Sequence, residues 1–257
     1  FIINAGNSDD NTNELLQSLN DPKIEIIHNV WDDSLREGGH VLALETDKAF
    51  QHIPDEYDWA IYIQADEVLH EDYHNNIRKA MLQYQDDNRV EGLLLKYIHF
   101  YGTYDYVADS RKWYRNEIRV VKNDKKVNSY KDAQGFRKEG RKLNVKPVDA
   151  YVFHYGWVKD PVHQKAKEKD FHKLWHNDEW VEKNIKEEDL FDYSKIDSIK
   201  RFTGKHPSVM LNRVKNKNWV VHLDPAKKRM SMKNILLQKI ESLTGYRFFE
   251  YKNYRKL

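Results

Sequence analysis

Residues 59–69 read Trp-Ala-Ile-Tyr-Ile-Gln-Ala-Asp-Glu-Val-Leu. The first five are apolar or aromatic with no polar alternation, which predicts a strand buried on both faces. The run ends at Asp66 and Glu67, and a helical pattern begins near Asp72. Ligands of an open α/β sheet bind at the carboxyl ends of its parallel strands, where a carboxylate can hold a divalent cation and a phosphate. An acid in this position also commonly caps the next helix or faces water.

The chain on either side of this strand alternates between strand and helix patterns. Strand patterns cover residues 1–3, 24–27 and 92–98, and helical patterns cover residues 15–19, 41–50 and 73–84. This order predicts an α/β fold with a mostly parallel sheet, flanked by helices and joined by right-handed crossovers. Residues 99–150 are rich in aromatics and short extended runs, which predict strands and long loops that extend the sheet. We therefore expect a first domain at residues 1–160 and a helical C-terminal extension at residues 161–257.

Composition excludes several classes of protein. The chain has no cysteine, so it has neither a disulfide framework nor a cysteine-based metal site. No apolar run approaches the roughly 20 residues of a membrane-spanning helix, and no signal peptide is visible. These features predict a cytoplasmic protein. Phe1 begins inside an apolar run without an initiator Met, so we expect that a preceding segment, up to a whole strand, is missing.

Charge is distributed unevenly along the chain. From residue 227 onward, nine basic side chains face only Glu241 and Glu250, so this tail carries +7 and the remainder −5 of the net charge of +2. A basic tail favours an anionic surface, either a membrane or a nucleic acid. The acidity of the body argues against nucleic acid. We therefore predict peripheral contact with the inner face of a membrane and no nucleic-acid partner.

Three motifs resemble those of family 2 glycosyltransferases. Residues 6–12, Gly-Asn-Ser-Asp-Asp-Asn-Thr, look like the nucleotide-binding loop of that family. Residues 64–67, Gln-Ala-Asp-Glu, occupy the position of its D-x-D motif, and residues 153–157, Phe-His-Tyr-Gly-Trp, resemble its late histidine segment. The resemblance covers roughly residues 1–175. It implies a GT-A fold, which is Rossmann-like, without its N-terminal strand.

The resemblance also implies roles for individual residues. Asp66 and His154 would ligate a divalent cation, Mg²⁺ or Mn²⁺, and Gln64 in place of the first Asp of D-x-D would weaken the binding of that hard cation. The general base would be Asp132, followed by Glu117 and then Asp109. The residues that would contact the nucleotide-sugar are Gly6, Ser8, Asp10, Gln64, Asp66 and Lys165. Two alternatives stay open, since His154 also suits a buried core position and Asp132 an Asx-turn.

The function implied by these roles is the transfer of a sugar from a nucleotide-diphosphate-sugar to a glycan or lipid-linked acceptor. The reaction would be inverting and metal-assisted, and would serve the biosynthesis of cell-surface polysaccharide. The alternative is a non-catalytic scaffold of the same fold that binds a nucleotide or a glycan. Gln64 and Ala5 favour this alternative, because both replace acidic residues of the family motifs.

Two further groups of residues each have two interpretations. Trp113, Tyr114 and Trp157 either stack on sugar rings or belong to the core, and Arg111, Lys112 and Arg115 form a solvated face or contact phosphate. The predicted helix at residues 232–243 carries an apolar stripe that either lies in a membrane interface or packs on the catalytic domain. The stripe consists of Ile235, Leu236, Ile240 and Leu243.

Overall fold

The computed structural model describes residues 1–8, 10–32, 35, 37–185 and 190–257. Asp9, which belongs to the predicted nucleotide-binding loop, lies outside these residues. None of the helices within these ranges is both long and apolar enough to cross a bilayer. The α-helices are α1 (Thr12–Ser18), α2 (His40–Gln51), α3 (His74–Gln83), α4 (Pro161–Lys173), α5 (Asp178–Asn184), α6 (Leu211–Lys215) and α7 (Met232–Thr244).

The strands form three sheets. The first is a parallel pair, the second is a small antiparallel sheet, and the third is a large sheet of eight strands. The pair consists of β1 (Ile2–Ala5) and β2 (Glu25–His28), and the small sheet of β8 (Val127–Tyr130), β9 (Gly135–Lys138) and β10 (Arg141–Lys142). The large sheet consists of β3 (Trp59–Ile61), β4 (Glu67–Leu69), β5 (Gly92–Tyr101), β6 (Thr103–Ala108), β7 (Asn116–Lys122), β11 (Asn144–Trp157), β12 (Ile199–Arg201) and β13 (Arg255–Lys256).

Two long strands, β5 and β11, run parallel through the middle of the large sheet. On the other side of β5, β7 pairs with its first half and β6 with its end, both antiparallel. The strands β3 and β12 continue the sheet antiparallel to β7 and β6 respectively. Beyond β11 lie β13, which is parallel to it, and β4, which is antiparallel.

The prediction of a mostly parallel sheet of GT-A type is wrong. Most strand pairs of the large sheet are antiparallel, the small sheet is wholly so, and only the short β1–β2 pair stands as a separate parallel sheet. Parallel neighbours need a crossover connection, usually a helix. Residues 102–143, all of them described, contain strands and turns but no α-helix, and Gly102 at φ 73° turns the chain directly from β5 into β6. The strands of this segment therefore return antiparallel.

The strand β3 is not buried on both faces as predicted. Ala60 and the half-buried Tyr62 pack in the cluster that contains Phe50 and Phe136, whereas Ile61 and Ile63 are each almost half exposed. Within the described chain β3 pairs on one side only, with β7, and is therefore an edge strand. Its alternation is hidden in the sequence because both faces carry apolar residues.

The core lies on both faces of the large sheet, and it fixes the loop between β3 and β4. On one face Leu94 packs with Phe50 of α2 and Phe136 of β9. On the other face Leu93 packs with Ile77 of α3. Full burial of one such side chain stabilises the fold by about 1.5–3 kcal/mol. The helices predicted at residues 15–19, 41–50 and 73–84 are confirmed as α1, α2 and α3.

The end of the chain is built into this core. Tyr254 is buried in the cluster of Leu94 and Phe136, and β13 next to it pairs with β11. The predicted helix at residues 232–243 is confirmed as α7, which begins after the capping side chain of Ser231 and ends at Gly245 in the left-handed region. Strands β12 and β13, both from residues 161–257, thus extend the large sheet.

Candidate active site around Asp66

Asp66 lies between β3 and β4, where the chain turns against the last part of β11. The strand β4 pairs with residues 152–154 of β11, and the N–H of Tyr155 donates to the main-chain oxygen of Asp66 at 2.8 Å. These bonds fix Asp66 beside the segment 153–157. The two motifs that the sequence analysis singled out therefore meet at one place.

The carboxylate of Asp66 faces a basic side chain and a histidine. The Nζ of Lys167 donates to Oδ2 of Asp66 at 2.9 Å and to the main-chain oxygen of Gly156 at 2.9 Å. The Nε2 of His154 lies 3.7 Å from the same Oδ2 atom. A Cβ on Gly156 would lie 2.5 Å from that oxygen and 2.7 Å from Nε2 of His154. Glycine at this position therefore lets the carboxylate and the imidazole approach each other.

Charges in this pocket are set by burial and by the neighbouring groups. Burial raises the pKa of Asp66, but His154 and Lys167 together lower it by more, and the net pKa lies below its usual value. Burial lowers the pKa of His154 and outweighs the opposite influence of Asp66 and Glu67. At neutral pH the pocket therefore holds an ionised carboxylate and a neutral imidazole.

The hydrogen bonds of His99 decide which nitrogen of His154 carries the proton. The main-chain oxygen of Tyr114, 2.8 Å from Nε2 of His99, can only accept, so that Nε2 carries the proton. Burial lowers the pKa of His99 to about 3, and its Nδ1 is consequently an acceptor. The Nδ1 of His154, 3.2 Å away, must then donate. This leaves the lone pair of His154 Nε2 free on the side of Asp66, as a metal ligand requires.

A buried ion pair between Glu67 and Arg119 lies next to the pocket. Arg119 donates from Nε and Nη2 to the carboxylate of Glu67 at 2.9 and 2.8 Å, and the hydroxyl of Tyr97 donates to the same carboxylate at 2.7 Å. Both charged side chains are almost completely buried. Removing one partner of such a pair costs roughly 3–5 kcal/mol, because the other charge stays buried. Glu67 therefore holds the loop in place, next to the residue that faces the pocket.

Several predicted donor-binding residues lie in other surroundings. Gln64 donates to the hydroxyl of Tyr62 at 3.3 Å. Asp10 accepts from the N–H of Thr12 at 2.9 Å at the start of α1, Gly6 lies against the ring of Trp31, and Ser8 is exposed. Within the described residues, none of these four has a hydrogen bond to Asp66.

The helix α4 brings Lys167 to the pocket, whereas the predicted Lys165 lies elsewhere. Lys165 pairs with Glu168 at 2.9 Å and faces a cavity beside the site. Residues two apart on a helix point to nearly opposite sides. Lys167 was missed because the sequence does not indicate which side of α4 faces the sheet.

Of the first two candidate bases, Glu117 is buried and Asp132 is half buried. In the part of the chain that the structure describes, Oδ1 of Asp132 and Oε2 of Glu117 have no hydrogen-bond partner. Burial raises the pKa of Asp132, and it raises that of Glu117 to about 8. Repulsion from the carboxylates of Glu67 and Asp132 also raises the pKa of Glu117. Unpaired buried acids are costly, and such groups collect at functional sites.

Asp132 occupies a strained turn. The flanking Lys131 and Ala133 adopt φ angles of 57° and 60°, and Gly39 before α2 approaches so closely that a Cβ there would lie 2.7 Å from Cβ of Asp132. Non-glycine residues in the left-handed region are uncommon and mark turns or functional sites. The predicted Asx-turn is present in part, since the N–H of Gln134 also hydrogen-bonds the carboxylate.

The third candidate base and the basic segment near it have structural partners. Asp109 accepts from the hydroxyl of Ser198 and lies 3.5 Å from Nζ of Lys228. Arg111 donates to Glu241, and Arg115 lies 2.8 Å from it. These arginines therefore bind α7 and are not a solvated face.

Metal ligation at this site rests on two side chains. Among the residues that the structure describes, no group of three or more histidines and acids is arranged around one point. Asp66 and His154 supply one oxygen and one nitrogen ligand. Mg²⁺ is usually held by one or two carboxylates together with substrate phosphates and water, so this pair fits a cation that binds with its nucleotide.

Neither a scan against protein-family models nor a search of curated proteins finds a match for this chain. The functional assignment therefore depends on the chemistry of the pocket around Asp66 and of the carboxylates beside it.

Proposed function

We propose that this protein is a glycosyltransferase, which moves a sugar from a nucleotide-diphosphate-sugar to a glycan or lipid-linked acceptor. The observation that carries the proposal is the pair of Asp66 and His154, in which Nε2 of His154 lies 3.7 Å from Oδ2 of Asp66. A lone pair and a carboxylate at this separation repel each other unless a cation lies near both. Lys167 provides one positive charge, and a divalent cation on Asp66 and His154 would provide another.

These positive charges suit a diphosphate leaving group. In the proposed reaction the bond between the sugar C1 and the phosphate oxygen breaks, and the electron pair remains on the diphosphate. Lys167 stabilises the developing charge by donating to a phosphate oxygen, as preorganised donors do in other active sites. A cation held by Asp66 and His154 would add Lewis-acid stabilisation of the same charge.

Asp132 is the base in this proposal. The acceptor hydroxyl forms the new bond to C1 and transfers its proton to the carboxylate of Asp132, in a single displacement that inverts the sugar. Glu117 is unsuited to the role, because with a pKa raised to about 8 it already holds a proton at neutral pH. A protonated Glu117 can instead donate a hydrogen bond to a substrate oxygen.

The test is donor cleavage. The full chain is incubated with UDP-, GDP- and dTDP-sugars in the presence of Mn²⁺ or Mg²⁺, and free nucleoside diphosphate is measured by chromatography. We expect slow hydrolysis of at least one donor, which Asp66→Ala abolishes and the exposed Glu56→Gln leaves intact. Binding of nucleotide without any cleavage would instead favour the non-catalytic scaffold. Absence of both binding and cleavage would exclude both functions.

We also propose that α7 contacts an anionic membrane at the cytoplasmic face. Ile235 and Ile240 are half buried, and Glu241 pairs with two arginines of the body, so one side of α7 packs on the protein. The other side exposes Leu236 and Leu243, the latter to 86%. The exposed lysines next to this stripe are Lys233 and Lys239, and the exposed apolar residues that continue it are Met232 and Phe249. An apolar stripe with basic flanks suits the interface of an anionic bilayer.

A further inference from the structure

A cavity of about 750 Å³ opens beside the Asp66 pocket. Its walls come from the loop after β6, the end of β11, one side of α4 and residues 190–197. Its volume lies in the usual range for sites that bind small ligands. None of the donor-binding or base residues discussed above lines it except Lys165.

Aromatic rings form one wall of the cavity. Trp157 stacks on Tyr101 with 5.9 Å between ring centroids, and Trp113 meets Trp157 edge-on at 5.8 Å. Both tryptophans are half buried, so each keeps part of its surface open to the cavity. Partly exposed tryptophan rings offer a flat apolar surface with a polar edge, which suits the alternating faces of a sugar ring.

The polar lining carries no net charge. Three carboxylates and three ammonium groups line the cavity, namely those of Glu168, Asp192, Asp197, Lys112, Lys165 and Lys195. Paired charges of this kind both accept from and donate to hydroxyl groups. A phosphate or a nucleotide would instead require an excess of positive charge. The lining therefore fits a neutral, hydroxyl-rich ligand.

Asp197 is the strongest sign of an occupant. Its side chain is only 6% exposed, and Oδ2 has no hydrogen-bond partner within the described residues. The nearest cation, Nζ of Lys112, lies 3.7 Å away, which is beyond hydrogen-bond distance. A buried carboxylate oxygen without a donor is costly. Asp197 lines the cavity, and a ligand hydroxyl toward which its carboxylate turns would supply that donor.

The wall of the cavity is connected to the residues around Asp66 through His99. The ring of Trp113 lies 5.1 Å from that of His99, which in turn contacts His154. Trp157 directly follows Gly156, whose backbone touches Asp66. A sugar seated on the tryptophans would therefore lie next to the Asp66 pocket.

We infer that this cavity is part of the acceptor site and that it binds those residues of an uncharged oligosaccharide that precede the one receiving the sugar. The role of the bound oligosaccharide as acceptor rests on the proposed transferase function. Binding of the oligosaccharide itself needs neither donor nor turnover. The inference therefore stands or fails separately from catalysis.

The experiment begins with the fluorescently labelled full chain on a glycan array of neutral and acidic oligosaccharides. The best binder is then titrated by calorimetry against three variants, Trp113→Ala, Asp197→Asn and the control Trp180→Ala. Trp180 lies on α5, stacks on His176, and is not among the residues that line the cavity. Thermal unfolding of each variant checks that it is folded.

We expect a neutral oligosaccharide to bind, and its Kd to rise about tenfold or more in Trp113→Ala and in Asp197→Asn. Trp180→Ala should bind like the unaltered chain. Asp197→Asn keeps the side-chain volume, so it remains informative should Trp113→Ala fail to fold. The inference is overturned if nothing on the array binds, if only acidic glycans bind, or if Trp180→Ala weakens binding as much as the cavity variants do.

Discussion

His99 and Tyr114 act on the Asp66 pocket through the ring of His154. The carbonyl of Tyr114 fixes the proton of His99, and His99 in turn fixes that of His154. The proposed cation site requires an unprotonated His154 Nε2, and this relay would leave it so. Outer groups that orient a ligating histidine commonly matter nearly as much as the ligand itself.

This relay predicts the effect of His99→Phe. The substitution keeps an aromatic ring but removes the acceptor for Nδ1 of His154, so His154 loses its fixed orientation. We expect the affinity for Mn²⁺, measured by electron paramagnetic resonance with UDP present, to fall by about 10–100-fold. The control is His222→Phe on an exposed segment. Unchanged affinity in His99→Phe would contradict the relay.

The proposed base predicts the effect of Asp132→Asn. The amide occupies the same space but does not accept the proton of the acceptor hydroxyl. We expect kcat for transfer to fall by about 10²–10⁴-fold, the usual scale for a positioned base. The Kd for the donor, measured by calorimetry, should stay the same. Near-normal turnover would show that Asp132 is not the base.

The raised pKa of Glu117 leads to a prediction of how the stability of the protein depends on pH. Its pKa of about 8 in the folded state lies above the ordinary 4.5, so the folded protein retains a proton that the unfolded chain releases between these values. Wild-type stability should therefore fall through this window by at most about 1.4 kcal/mol per pH unit. Glu117→Gln removes this loss, and we expect it to exceed the wild type in stability at pH 8 but not at pH 4.5.

Urea unfolding at the two pH values measures this difference. The exposed Glu56→Gln is the control, and it should change stability by less than about 0.5 kcal/mol at either pH. An equal effect of Glu117→Gln at both pH values would show that its carboxyl is not held protonated by burial.

At the scale of elements, β11 carries the site. It pairs with β5 from Val145 to Trp157, with β13 at its start, and with β4 at residues 152–154. The same strand therefore holds Asp66 through β4 and presents His154 and Gly156 beside it. The helix α4 follows directly and supplies Lys167. A strand paired on both sides positions these side chains more rigidly than a loop would.

Gly156→Ala tests this arrangement. The added Cβ would lie 2.5 Å from Oδ2 of Asp66, so the carboxylate and the imidazole must separate. We expect loss of Mn²⁺-dependent donor cleavage with the fold retained, as judged by circular dichroism. The matched control is Gly204→Ala, away from Asp66. Its added Cβ would lie similarly close, 2.7 Å from Cζ of Phe202. The prediction fails if both variants cleave donor equally well.

At the scale of the whole molecule, patterns along the sequence predicted the positions of the helices but not the directions of the strands. Asp66 and His154 were expected together from their motifs, and they lie 3.7 Å apart. The direction of β7 was not predictable, because Asn-Glu-Ile-Arg-Val-Val-Lys reads the same for a parallel or an antiparallel neighbour. Direction follows from the connections, and these depend on a helix being present or absent between strands.

The contacts that were missed join residues far apart in the chain. Glu67 and Arg119 form a buried pair that nothing in their separate surroundings indicates. Lys165 was predicted at the site, but Lys167 is the residue that contacts Asp66. The sequence did not indicate this, because the packed side of α4 depends on the strand beneath it. The basic segment at Arg111 and Arg115 was interpreted without its partner Glu241, which lies on the last helix.

The membrane proposal is tested on the full chain, because Tyr254 is buried in the core and a truncated tail would expose that cluster. We expect the chain to pellet at low salt with vesicles of phosphatidylglycerol and phosphatidylcholine. Each basic residue at such a surface contributes about 1 kcal/mol. The double variant Lys233→Glu, Lys239→Glu and the variant Leu243→Glu should stay in the supernatant.

The control for these variants is Leu211→Glu, which alters an exposed leucine outside α7. It should pellet like the wild type. Equal pelleting of all variants, or of none including the wild type, would remove the membrane role.

The position of Tyr254 in the core has a consequence for synthesis on the ribosome. Its partners Leu94 and Phe136 leave the exit tunnel long before Tyr254 is translated, and β13 reaches β11 later still. A core that includes Tyr254 cannot close before residue 254 has left the exit tunnel, and contacts of such long sequence separation also form slowly. Until then the start of β11 lacks its β13 neighbour, and this open sheet edge is where a chaperone would bind during translation.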